Sequence, residues 1–214
     1  DHQTRVINNP AITGELFTSL EARNHLTVLG GFTQGARNLY TKRPVATPAD
    51  LRGVKIRVQE SPVMLGMIRA MGGSPTPMAY GEVYTALQSG VLDGAENNEV
   101  SYFTQKHYEV APIYTYTEHL VGLDYMVAST RTLQSQSGEM ATALDEEWVT
   151  TYTEFNELWK TATEKDTAAA QAAGATFTRI DLAPFDRPLT AFSESLLSSP
   201  VQQRLYEQTR AVAS

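Results

Sequence analysis

The chain contains no cysteine. Disulfides and thiolate metal sites are therefore excluded, and the redox compartment stays undecided. Histidine is scarce: four residues stand at positions 2, 25, 107 and 119. None falls in an HxxxH or HExxH spacing, so the sequence offers no zinc pattern, and neither metal nor cofactor is expected. No apolar run approaches membrane-spanning length, and no basic stretch leads into an apolar one at the start. Clusters of basic residues are missing as well. With 17 Lys and Arg against 24 Asp and Glu, the net charge is −7. That argues against nucleic-acid binding, because phosphate contacts need cations gathered on one face. Repeats, low-complexity segments and flexible linkers are absent. What is present is an apolar fraction of 42%, enough for one large or two small cores.

The stretch from Thr47 to Asn98 organises the chain. Thr47-Pro48 is an N-cap followed by proline at the first helical position, and Gly53 closes that short helix. Residues 54–58, VKIRV, alternate as a strand with Val54, Ile56 and Val58 on one face and Arg57 on the other. Val63, Met64, Met67, Ile68 and Met71 recur at helical spacing and end at Gly72-Gly73. Residues 75–78 are a short extended piece. Residues 82–88 are a second helix, with Gly90 past its end. Residues 91–94 are a strand running into a turn before Asn97-Asn98. The order is βαβαβ, which predicts a mostly parallel sheet with crossover helices.

Upstream, residues 10–22 read as a helix after the Asn8-Asn9-Pro10 turn signal. Residues 26–29 read as a short buried strand ended by Gly30-Gly31, and a further extended piece starts at Arg37. Downstream, residues 100–106 read as a helix, followed by extended pieces to Ser129. Residues 136–173 carry the longest helical pattern. Its stripe of Met140, Leu144, Trp148, Tyr152, Phe155 and Trp159 keeps one apolar face. The two tryptophans read as core residues, with sugar stacking as the alternative. A strand at 176–180 and helices at 184–197 and 200–213 close the chain.

Arg57 is the foremost candidate for chemistry. Alone on the polar face of an apolar strand, its planar fork suits a carboxylate in a way that lysine cannot match. The alternative is a structural ion pair with Glu82 or Glu60. TPADLRGVKIRV, then GGSPTPMAYGEVYTALQSGVLDGAEN, then KHYEV with a later EH, closely resemble the solute-binding subunits of tripartite ATP-independent periplasmic (TRAP) transporters, the DctP type. The motifs stand in that family's order and spacing, and the likeness runs from about Leu16 onward.

The resemblance implies an α/β, two-lobed periplasmic-binding-protein-like (class II) fold. Residues 1–34 with 123–162 would form the first lobe, and residues 35–122 with 163–214 the second, with the long helix spanning both. Family members carry a further N-terminal portion. The expectation is a complete second lobe, a truncated first lobe, and self-association through the stripe and an open strand edge. The resemblance assigns ligand contacts to Arg57, Arg37, Asn97 and Tyr80, with Gln59 and Glu60 in reach of sugar hydroxyls. Glu82 and His119 would support them. Plainer readings are a surface arginine at 37, a turn at Asn97, core packing at Tyr80 and a buried hydrogen-bonding group at His119. The implied role is extracytoplasmic binding of a small acidic ligand, of which a hexuronate fits the wording best. C4-dicarboxylates or other organic acids are the alternative, and a sensor or non-binding module a further one. Delivery would be to TRAP membrane subunits, with the signal peptide removed and no catalytic role. A sugar hydrolase using two of Glu82, Asp93 and Glu96 is the rival of another class.

Overall fold

The computed structural model describes residues 2–212. Helices α1 (His2–Ile7) and α2 (Pro10–Asn24) come first, then β1 (Leu26–Thr41). A 3₁₀ turn (Pro48–Leu51) precedes β2 (Lys55–Val58), α3 (Pro62–Ala70), β3 (Ser74–Pro77), α4 (Val83–Gln88) and β4 (Gly94–Asn97). Then follow α5 (Glu99–Thr104), β5 (Ile113–Ser129), α6 (Thr130–Gln134) and α7 (Gly138–Ala172). The chain closes with β6 (Thr176–Arg179), α8 (Ala183–Ser195) and α9 (Pro200–Ala211).

The strands form one sheet in the order β3-β2-β4-β1-β5-β6. β2 runs parallel to β3 and β4, and β5 parallel to β6, but β1 is antiparallel to β4. The sheet is therefore mixed. Its βαβαβ segment keeps parallel pairing because helices α3 and α4 carry the crossovers.

Two compact units divide the chain. One holds residues 1–34, 122–160 and 197–214; the other holds residues 35–121 and 161–196. This corrects the expected division at the C-terminus, since α9 goes with the first unit. There Arg204 of α9 pairs with Glu15 of α2 at 2.7 Å. A capping box in which Ser199 and Gln202 satisfy each other's N–H groups starts α9 afresh after the end of α8.

In the second unit, neighbouring residues of β1 feed different cores. Tyr40 packs with Ala95, Val83, Leu87, Tyr102, Tyr114 and Ala170, so α4, α5 and the end of α7 cover that face. Leu39 packs with Ile56, Val58, Met64, Ile68 and Phe185, so α3 and α8 cover the other. A strand's alternation of side chains produces this three-layer arrangement.

The first unit corrects two expectations. Gly30-Gly31 does not end β1, which continues through both glycines. A side chain at Gly30 would come within 2.1 Å of Trp148 Nε1, and Asn8 exchanges two hydrogen bonds with the Gly31 backbone, at 2.8 and 2.9 Å. Glycine here admits close neighbours rather than a turn. Nor is the α7 stripe without a partner. Trp148 is buried, and Phe32 of β1 stands 6.1 Å from the Trp148 ring and 4.3 Å from that of Phe155. The strand expected at 91–94 lies instead at Gly94–Asn97. Val91 is exposed, and pairing with both neighbours begins at Gly94, opposite Thr41 and Ile56.

Candidate functional site

Arg57 lies near the end of β2, in register with Ala95 of β4. Asn97 closes β4, so the two parallel strands deliver both residues to the same end of the second unit. Arg57 is 4% exposed rather than solvated on a polar face. Its Nε donates to the Met78 carbonyl at 2.9 Å, which fixes the plane of the guanidinium. The Tyr80 ring lies beside it, 5.6 Å from the guanidinium carbon to the ring centroid, in cation–π contact. Among the described residues Arg57 has no ion pair; neither Glu60 nor Glu82 reaches it. Burial lowers its pKa, and the nearby Arg37 cation acts in the same direction.

Arg37, expected among the ligand contacts, is ion-paired within the protein. Its fork is already engaged by Glu96, with Nε at 2.6 Å from Oε2 and Nη2 at 2.8 Å from Oε1. A third bond joins Nη2 to the Glu96 carbonyl at 3.2 Å. Burial opposes both charges. His119 and Arg37 nevertheless hold Glu96 below the usual carboxylate range, and Glu96 holds Arg37 above its ordinary value. His119 completes the group. Its Nδ1 lies 2.7 Å from the Thr117 hydroxyl and its Nε2 3.6 Å from Glu96 Oε2.

Asn97 is buried, and its side-chain oxygen accepts from the Asn98 N–H at 2.9 Å. Its amide NH₂ is therefore the group it can offer, a donor suited to a carboxylate or hydroxyl oxygen. Tyr80 is 39% exposed, an aromatic face open beside a buried cation. Gln59, Glu60 and Glu82 are exposed, and Glu82 supports neither Arg57 nor a helix cap by hydrogen bond. The carboxylates of the rival hydrolase do not converge. Glu96 is committed to Arg37, and Asp93 accepts from the Lys55 N–H at 2.9 Å.

Two features escaped the sequence reading. Glu96 as the partner of Arg37 could have been sought by asking what neutralises a buried arginine. His107 is the other. It is 1% exposed, its Nδ1 stands 2.8 Å from the Tyr40 hydroxyl, and its ring packs edge-on against Tyr80. Burial first, and Arg57 second, lower its pKa from 6.5 to about 4. The folded chain keeps His107 neutral where the unfolded chain would protonate it. Stability should therefore be full above pH 6.5 and decline as the pH falls toward 4, by on the order of 1–3 kcal/mol. Urea midpoints measured at pH 7 and 4.5 test this. His107→Gln should flatten the dependence, and an unchanged slope would count against it.

Parallel strands thus bring a buried arginine, a buried amide and an open aromatic ring to one end of the second unit of an α/β scaffold. The family model for DctP, bacterial extracellular solute-binding protein, family 7, matches residues 1–197, and the chain belongs to this family. A solute-binding protein of Chromohalobacter salexigens is 40% identical over 169 residues, 78% of this chain. The chain spans 50% of that relative's length. A TRAP periplasmic solute-binding protein from Roseobacter denitrificans, solved with bound β-D-glucuronate, superposes with a TM-score of 0.91 at 35% identity. The match covers 99% of this chain and 70% of that one. The TRAP protein from Xanthobacter autotrophicus Py2, with bound β-D-galacturonate, gives a TM-score of 0.92 at 30% identity, with coverage of 99% and 70%.

Proposed function

We propose that this chain binds a small sugar acid of the hexuronate type in the periplasm for delivery to TRAP membrane subunits. One observation carries the reading: Arg57 is a buried cation with no acidic partner among the described residues. A buried charge is costly unless it is paired, so the site is built to receive an anion. Met78 holds the guanidinium by Nε alone, which leaves its outer edge to a carboxylate as a two-pronged donor. Tyr80 offers the ring's apolar face a platform, and Asn97 offers a donor to an adjacent oxygen. The uronates bound by the Roseobacter and Xanthobacter proteins support the sugar-acid assignment.

Arg37, with Glu96 in its fork, serves as a neutral scaffold for this site rather than as a second clamp. The reaction class is binding without turnover. Thermal-shift measurements test the reading. D-glucuronate and D-galacturonate should raise the melting temperature, while glucose and galactose at equal concentration should not. A neutral hexose stabilising as well as its uronate would show that Arg57 is structural. Release of nitrophenol from a nitrophenyl glucuronide would show that the chain turns substrate over.

A further inference from the structure

At the opposite end of β2 and β4 from Arg57 lies a second concavity of about 280 Å³. It forms where the chain leaves β1, turns through the 3₁₀ segment into β2, and approaches β4. Lys42, Arg43 and Arg52 line it, together with Asp50 and Asp93. Three cations thus face two carboxylates in a chain whose net charge is −7.

Both carboxylates are already engaged by the protein. Asp50 Oδ2 accepts from the Ala46 N–H at 3.0 Å, the Thr47 N–H at 2.8 Å and the Thr47 hydroxyl at 3.0 Å. These bonds hold its carboxyl below the usual range. Asp93 Oδ2 accepts from the Lys55 N–H, as described above. The cations are not matched in the same way. Lys42 Nζ donates once, to the Leu92 carbonyl at 2.9 Å, while the Arg43 and Arg52 side chains are exposed and unpaired among the described residues. The backbone adds donors. The N–H groups of Arg43, Val45 and Gly53 lie outside helix and strand and donate to no acceptor among the described residues. Gly53, at φ 75°, is the third residue of a tight turn that the Val54 N–H closes on the Leu51 carbonyl at 3.0 Å.

We infer that this pocket is a binding site for a phosphate group, held by Arg43, Arg52 and Lys42 and by the backbone amides of the turn. A phosphate presents more acceptor oxygens than a carboxylate and suits two guanidinium forks at once. The same chemistry is available as free phosphate and as the headgroup of an anionic phospholipid. The headgroup would give a protein working beside a membrane an electrostatic foothold. The inference stands apart from the Arg57 site, so either can fail alone.

Amide NMR spectra of the ¹⁵N-labelled chain at constant ionic strength test it, with inorganic phosphate, succinate or chloride added. Flotation with phosphatidylglycerol or phosphatidylcholine vesicles forms the second arm. Phosphate should shift the amides of Arg43, Val45 and Gly53 with saturation, and the Arg43→Ala/Arg52→Ala variant should weaken that response at least tenfold. Both positions are exposed, so the variant should keep its fold and its uronate response. Saturation by phosphate without flotation assigns free phosphate. Flotation on phosphatidylglycerol alone, lost in the variant, assigns the headgroup. Equal shifts with succinate or chloride, or no shift and no flotation, overturn the proposal.

Discussion

Glu96→Ala is expected to destabilise the chain by about 3–5 kcal/mol, the usual cost of removing one partner of a buried ion pair. Glu96 is fully buried and Arg37 is 8% exposed, so the remaining guanidinium could not reach bulk water without moving β1. Replacing both residues by apolar ones, as in Arg37→Met with Glu96→Leu, should recover much of the loss, because two desolvation costs vanish together. Urea denaturation of the two single variants and the double variant decides it. A single-variant loss under about 1 kcal/mol would mean that the pair carries no such burden. The pH dependence has a definite sign. Glu96 titrates below its unfolded value of 4.5, so its contribution is full above that pH and is lost as the pH falls through the lowered value.

Arg57→Ala should weaken binding of D-glucuronate by roughly 2–5 kcal/mol, a loss of tens- to thousands-fold. Arg57→Lys should do nearly as badly. An ammonium can supply the charge but not the planar fork, nor the simultaneous bond from Nε to the Met78 carbonyl. Titration calorimetry on variants first shown by melting to be folded gives the answer. Wild-type affinity in Arg57→Lys would end the case for a two-pronged contact.

Elements with a local cause were legible in the sequence. Thr47-Pro48 marks the start of the 3₁₀ segment, and Gly90, at φ 81°, stands just past the end of α4. The site's arginine was legible because a cation between Ile56 and Val58 breaks a strand's apolar run. What stayed hidden depends on contacts distant in sequence. Gly30-Gly31 looked like a stop because the indole that needs the room lies at position 148. Glu96 looked like one of several loose carboxylates because its partner is 59 residues upstream. Val91-Leu92 looked like strand from apolarity alone, yet the ladder is set by where Thr41 and Ile56 end, which no local pattern encodes. α9 looked like a second-lobe helix alongside α8 because the sequence does not reveal that Arg204 meets Glu15.

The distribution of chromophores has a practical consequence. Both tryptophans, Trp148 and Trp159, belong to the first unit, whereas Arg37, Arg57, Tyr80, Asn97 and His119 belong to the second. Seven of the ten tyrosines, including Tyr40, Tyr80 and Tyr114, lie in the second unit as well. Excitation at the red edge of the absorption band therefore watches only the part of the molecule that contains none of the candidate ligand contacts. Tyrosine emission mostly watches the part that contains all of them. Recording both during one titration gives each unit its own optical channel, with no label attached and no residue replaced.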